Sequence, residues 1–178
     1  MAHWPVNPVD LLIEGLKRDL KASKSPLQVA DMGCGEAKIM THFDGNARIK
    51  INSFDLAAVC PGVVVADMTK VPLADQSIDV VIFCLSLMNT NFLDALREAR
   101  RILKTNCTLR VAEVESRFTD GPGNFISAVE ALGFTNVNFD KSNRVFWLFE
   151  FKTAERAIER KDASSSTTIL KPCLYKKR

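Results

Sequence analysis

The chain is poor in the residues from which metal sites and disulfide frameworks are made. Its two histidines, His3 and His42, are too few and too far apart for a His-based metal site. Its five cysteines, Cys34, Cys60, Cys84, Cys107 and Cys173, are odd in number and include no C-x-x-C pair. That argues against a disulfide framework and against a zinc knuckle, and it fits a reducing compartment. No apolar run reaches the ~18 residues of a membrane span. Residues Met1 to Leu20 are interrupted by Asp10, Glu14, Lys17 and Arg18, so they lack signal-peptide character. Two phosphate-binding patterns are missing as well. There is no G-x-x-x-x-G-K-[ST] loop, and the last glycine of a G-x-G-x-x-G fingerprint is replaced by Lys38. The second absence removes the dehydrogenase reading.

What is present is ordinary in bulk and uneven in detail. At 178 residues, with 47% apolar and 25% charged residues, the chain can bury one real core. The net charge is +3, but Lys152 to Arg178 holds eight Lys/Arg against three Asp/Glu and so carries +5, leaving −2 for the rest. A basic end of this kind is either a nucleic-acid contact or a solvated tail.

The stretch that organises the chain is Leu27 to Glu36, LQVADMGCGE. Apolar strand-formers run to Asp31, Gly33-Cys34-Gly35 turns the chain, and Glu36 to Phe43 reads as a helix. Glycines allow a sharp turn and close approach of a ligand, and the helix start behind them offers free N–H groups. The order acidic residue, x, Gly, x, Gly resembles motif I of the S-adenosylmethionine-dependent methyltransferases, whose cofactor carries no phosphate to cradle. A second strand, Ile49 to Phe54, ends at Asp55, 24 residues after Asp31. A carboxylate there can accept hydrogen bonds from both hydroxyls of a ribose. A third strand, Val63 to Ala66, ends in Asp67-Met68, an acceptor for an adenine amino group beside an apolar side chain for its ring. The connection Leu56 to Gly62 is only seven residues, too short for a crossover helix. Ser77 to Leu87 reads SIDVVIFCLSL, and its continuous Val/Ile/Phe argues for a central strand buried on both faces. Its end places Cys84 where ligands bind in open α/β sheets, as a small wall rather than a nucleophile, since no nearby Lys or His would lower its pKa.

The remaining elements follow from periodicity and caps. Asn7 and Pro8 start a helix that runs to about Lys21, with Trp4 either over the ligand edge or sealing that helix. Phe92 to Leu103 is a helix, Leu109 to Val114 a strand, and Phe125 to Leu132 a helix stopped by Gly133. Asn136 to Phe139 and Val145 to Phe151 form an antiparallel pair around Ser142-Asn143. The expected fold is α/β, a doubly wound and mostly parallel sheet of about seven strands with an antiparallel final strand and helices on both faces. The expected organisation is one domain over residues 1–152, a flexible polar linker over 153–170, and a basic segment over 171–178 that docks back on the domain.

Taken together, WPVNPVD (Trp4 to Asp10), VADMGCGEA (Val29 to Ala37), FDL (Phe54 to Leu56), DMTKVPL (Asp67 to Leu73), DVVIFCLSLMNTN (Asp79 to Asn91), AEVESRF (Ala112 to Phe118) and KPCLYKKR (Lys171 to Arg178) resemble the ribosomal RNA-processing protein 8 (nucleomethylin-like) family. The resemblance implies a class I, Rossmann-like methyltransferase of the nucleus and nucleolus that methylates N1 of an adenosine in large-subunit ribosomal RNA. It implies S-adenosyl-L-methionine as cofactor, with contacts at Gly33, Asp55, Asp67, Met68 and Cys84. Gly35 and Leu56 complete the candidate cofactor set, and no catalytic residue or metal ligand is assigned. The partners implied are ribosomal RNA and the pre-ribosome, with chromatin-associated proteins for the vertebrate member. No membrane partner is expected, and the chain is expected to be a monomer.

The departures from the family are local. The family has a segment upstream of Trp-Pro with a histidine that touches the cofactor. This chain opens Met1-Ala2-His3, so a truncated form is expected and the role is not transferred to His3. Thr105-Asn106-Cys107 stands for Pro-Gly-Gly, Asn89 stands for a common glycine, and the Ser/Thr linker is longer. The chain lacks a [DNS]-P-P-[YFW] motif after the fourth strand, the pattern usual for exocyclic amino methylation. Two other readings compete: a cofactor-sensing module of a chromatin-silencing complex, and, ranked last, a small-molecule methyltransferase.

Overall fold

The structure is a computed structural model that describes residues 6–88, 90–155 and 169–171. Seven strands form one sheet: β1 (Leu27–Met32), β2 (Ile49–Asp55), β3 (Val63–Val65), β4 (Ile78–Cys84), β5 (Leu103–Val114), β6 (Phe134–Asp140) and β7 (Phe146–Thr153), in the order β3-β2-β1-β4-β5-β7-β6. The pairs β2–β3, β1–β2, β1–β4 and β4–β5 are parallel, and β7 runs antiparallel to both β5 and β6. The chain order reverses direction between β1 and β4. A crevice opens at such a point beyond the carboxyl ends of the strands.

Alternation along the strands feeds two cores. On one face Val29, Val80, Ile82 and Ala112 pack under α1 (Pro8–Ala22) and α2 (Lys38–His42), through Leu12, Ile13, Leu16 and Ile39. On the other, Ala30, Val81, Phe83, Val111 and Phe149 pack under α3 (Phe92–Ile102) and α4 (Gly123–Glu130), through Leu96, Ala99, Phe125 and Val129. Successive strand residues point to opposite faces, so a strand covered on both sides must be apolar where it is covered, as β4 is from Val80 to Cys84.

The first helix starts where its caps say. Asn7 Oδ1 accepts from the Val9 N–H at 3.1 Å, and Pro8 fills the first turn. Arg110 of β5 pins it to the sheet: its Nη1 and Nη2 donate to Asp19 at 2.5 and 3.0 Å, and its Nε donates to Glu150 of β7 at 2.9 Å. Gly15 makes room for this, since a Cβ there would lie 3.3 Å from the guanidinium.

Several expected boundaries move. The second helix begins at Lys38, not Glu36, because the chain from Gly33 to Ala37 is still turning. β3 is three residues, ending at Val65. β5 begins at Leu103, six residues early: Leu103 pairs with Ile78 and, after a shift in register, Thr108 pairs with Val80. The irregularity breaks the alternation that would have marked the strand. Within it Asn106 has φ 58°, and asparagine, where the family has glycine, is the side chain best suited to that left-handed conformation. The connection 56–62 holds no helix. β6 begins at Phe134 rather than Asn136, and β7 closes at Thr153. After Glu155 the run 156–168, most of the expected linker, lies outside the described residues, as do 172–178, Trp4 and His3. Leu170 is buried in the core under α3 and α4, and Ile169 packs against that core.

Candidate functional site

A cavity of about 500 Å³ opens at the carboxyl ends of the parallel strands, within the size range of small-molecule sites. Gly33, Gly35, Asp55, Leu56, Asp67, Met68 and Cys84 all line it, together with the loop Leu85 to Met88, with Asn91 before α3, and with Phe92 and Ala95 of that helix.

The glycine turn is built by alternation of left-handed residues: Gly33, Gly35 and Ala37 have φ 74°, 55° and 52°. The Gly33 and Cys34 N–H groups both donate to the Phe54 carbonyl, at 2.8 and 2.9 Å, which ties the turn to the end of β2. The Gly35 N–H donates to Asp55 Oδ2 at 2.8 Å. A Cβ on Gly33 would lie 2.6 Å from the Ser86 Cβ, whereas one on Gly35 would meet nothing within 4 Å. The two glycines thus do different jobs. Gly33 lets β1 and the loop after β4 touch, and Gly35 keeps a face of the backbone open.

Two carboxylates stand close beneath the turn. Asp31, 2% exposed, has its pKa pushed up to about 7, first by desolvation and then by the charge of Asp55. It borders a smaller cavity of about 180 Å³ behind the turn, with Asn7, Lys38 and Cys84. Burial, then the charges of Asp31 and Asp55, push the Cys34 thiol up to about 12. Burial and then Asp31 and Glu113 push Cys84 further up still. Both thiols stay protonated at neutral pH, so neither is a nucleophile. At the exposed mouth, Asp67 Oδ1 accepts from the N–H and Oγ1 of Thr69, both at 2.8 Å, and the first of these bonds leads in holding its carboxyl below the usual range.

The wall opposite the turn is held from behind. Leu85 has φ 54°, and its N–H donates to the Ala112 carbonyl at 2.8 Å. The Leu87 N–H donates to Glu113 Oε1 at 2.9 Å, and Arg117 Nη2 donates to the Leu87 carbonyl. Arg117 Nη1 in turn donates to Glu113 Oε2 at 2.8 Å. Between them Ser86, 6% exposed, has an Oγ with no hydrogen-bond partner among the described residues.

The sequence did not assign the apolar and polar lining from Leu85 to Met88 and at Asn91, Phe92 and Ala95, nor Asp31, Glu113 and Arg117 behind it. For Asp31 the signal was there, as the acidic residue of the glycine motif. Glu113 and Arg117 sit inside AEVESRF, but nothing in that string says that a four-residue spacing across a strand end brings the two together. Among the described residues no group of three or more His, Cys, Asp or Glu could hold a metal ion, and no helix is long and apolar enough to cross a membrane.

A family model described as a hypothetical methyltransferase matches residues 1–178. The mouse (Mus musculus) Ribosomal RNA-processing protein 8 is 46% identical over 176 residues, covering 98% of this chain and 36% of the mouse protein. The 25S rRNA (adenine(645)-N(1))-methyltransferase of Schizosaccharomyces pombe is 42% identical over 180 residues, covering 98% of this chain and 56% of the yeast protein. The chain therefore spans between about a third and just over half of these relatives. Among solved structures, the Burkholderia thailandensis 1,6-didemethyltoxoflavin-N1-methyltransferase, with 1,6-didemethyltoxoflavin and S-adenosylhomocysteine bound, superposes with a TM-score of 0.64 at 14% identity over 80% of this chain and 78% of that one. The [4+2]-cyclase SpnF superposes at 0.68 and 16% identity over 82% and 80%. At these identities the likeness shows the class I methyltransferase fold and nothing about chemistry, as the cyclase illustrates. On the match over its whole length, the chain belongs to the hypothetical methyltransferase family.

Proposed function

We propose that this chain transfers the methyl group of S-adenosylmethionine to N1 of an adenine in large-subunit ribosomal RNA. The observation that carries the cofactor half is the placement of two carboxylates in one cavity: Asp55 beside the glycine turn and Asp67 on the next connection. The fission-yeast relative's name carries the substrate half.

The residues fit this cofactor. Asp55 is an acceptor for ribose hydroxyls, and Asp67 with Met68 suits an adenine. The open face of Gly35 admits the methionine part, and the buried Asp31 carboxyl suits its ammonium group. Bound there, the cofactor supplies a methyl group that is already electrophilic. The chain's residues then have to orient it and exclude water. Adenine N1 offers a free lone pair and releases no proton before attack, so no general base is needed. The protonated Cys34 and Cys84 agree with that. N1 lies on the pairing edge, so the adenine must be unpaired when it enters. Pre-ribosomal RNA is the partner on this reading, and the nucleolus the compartment.

The test is methyl transfer to unmodified large-subunit ribosomal RNA, with the product mapped by reverse transcription, which stops at a base methylated on N1. A stop at one adenine that depends on S-adenosylmethionine is expected. Transfer to an exocyclic amine, or to small molecules alone, overturns the substrate assignment. Cofactor binding with no transfer to any RNA favours the competing reading, a sensing module in a chromatin-silencing complex.

A further inference from the structure

Arg117 touches three segments that are far apart in the chain. It donates from Nη2 to the carbonyl of Leu87, from Nη1 to Glu113 at 2.8 Å, and from Nε to the carbonyl of Lys171 at 2.8 Å. Its own carbonyl accepts from the Lys171 N–H at 3.0 Å. Arg117 and Glu113 are 5% and 1% exposed, and Leu170, next to the hooked residue, is 5% exposed in the main core. The pocket loop is thereby fixed at Leu87 through both its N–H and its carbonyl. It is also fixed at Leu85, which sits in a left-handed conformation that a non-glycine residue holds only when its surroundings impose it. The strand ladder alone gives a loop no such support, and a buried ion pair contributes little net stability on its own account. Its geometry here is spent on one backbone segment, the one that lines the cavity.

We propose that Arg117, held by Glu113, is a positioning residue for the Leu85–Met88 wall of the ligand pocket, and that Leu170–Lys171 latch it from outside, so that pocket occupancy and docking of this C-terminal segment are coupled. None of Arg117, Leu170 and Lys171 lines the cavity. Their effect on a ligand is exerted through Leu87. Coupling of this kind is reciprocal: whatever the latch contributes to ligand affinity, the ligand returns to the latch. The inference rests on the reading of the cavity as the cofactor pocket.

The experiment uses the full chain, with S-adenosylhomocysteine as the probe. Lys171→Pro removes the N–H that donates to Arg117 and leaves the core and the cavity lining in place. Leu170→Asp withdraws the latch altogether. Calorimetry should show weaker binding, about threefold for Lys171→Pro and tenfold or more for Leu170→Asp. Hydrogen exchange should show faster exchange at the Leu85 and Leu87 amides in both variants, with β1 and β4 still protected. In the wild type, S-adenosylhomocysteine should slow exchange at the Lys171 amide. Wild-type affinity and wild-type exchange at Leu87 in a folded Lys171→Pro variant would overturn the coupling, as would an unchanged Lys171 amide on ligand binding. If Leu170→Asp proves unfolded, Lys171→Pro decides. If the wild type binds no probe, the cofactor reading is what fails, and the Leu87 exchange rate in Lys171→Pro still tests the latch.

Discussion

Asp55 Oδ2 lies 2.8 Å from the backbone nitrogen of Gly35, so the carboxylate at the end of β2 and the turn at the end of β1 form one unit. The pair fixes the position of Asp55 before any ligand arrives, because a charged acceptor on a backbone N–H is among the stronger hydrogen bonds. It also fixes the turn, in which Gly33 and Gly35 take left-handed conformations freely and only Ala37 carries strain. A ligand that meets Asp55 therefore meets a carboxylate already desolvated and oriented, at 8% exposure.

The two glycines of the turn should respond differently to the same change. Gly33→Ala places a Cβ 2.6 Å from that of Ser86 at a φ of 74°, and is expected to cost roughly 2–4 kcal/mol of stability. Gly35→Ala meets no atom within 4 Å and should cost about 1–2 kcal/mol from its backbone conformation alone. It should nonetheless weaken S-adenosylhomocysteine binding, since the new methyl stands on the open face. Urea unfolding and calorimetry on both variants separate the two effects.

Asp31 predicts an inverted pH dependence. Its folded pKa of about 7 stands above the ordinary carboxylate value, so between about pH 4 and 7 the folded state holds a proton that the unfolded chain has lost. Its contribution to stability is therefore complete below pH 4 and declines as the pH rises through 7. The loss is at most about 4 kcal/mol from this group. Asp31→Asn should be more stable than the wild type at pH 8 and should lose this slope. The check is urea unfolding of both proteins from pH 5 to 8. A ligand ammonium beside Asp31 should flatten the wild-type slope as well.

Arg110 should matter for the first helix rather than for the site. Arg110→Met leaves Asp19 and Glu150 facing each other, with side chains 26% and 29% exposed, and should cost about 2 kcal/mol. Hydrogen exchange should rise first in α1, with S-adenosylhomocysteine affinity within a fewfold of the wild type.

The parts of this molecule that the sequence makes legible are those set by local rules. Asn7-Pro8 marks a helix start, the apolar Val80-to-Cys84 run marks a strand buried on both sides, and the spacing from Asp31 to Asp55 places two carboxylates at neighbouring strand ends. The cavity brings all seven candidate residues together. What stayed hidden is set by tertiary structure. The bulge before Val80 moved the start of β5 to Leu103. The left-handed Ala37 delayed α2 to Lys38, and nothing about an alanine announces that conformation. The Glu113–Arg117 pair joins residues 87, 113, 117 and 171, and no periodicity connects positions so far apart.

On the proposed function, Asp55 holds the ribose of an S-adenosyl cofactor. The most direct test is calorimetric titration of S-adenosylhomocysteine into the wild type and into Asp55→Ala, with thermal unfolding of both as a control. Micromolar binding to the wild type is expected, with a loss of about 2 kcal/mol, roughly thirtyfold, in the variant, since charge-assisted hydrogen bonds are worth about 1.5–3 kcal/mol. Equal affinity in a folded Asp55→Ala variant would contradict it.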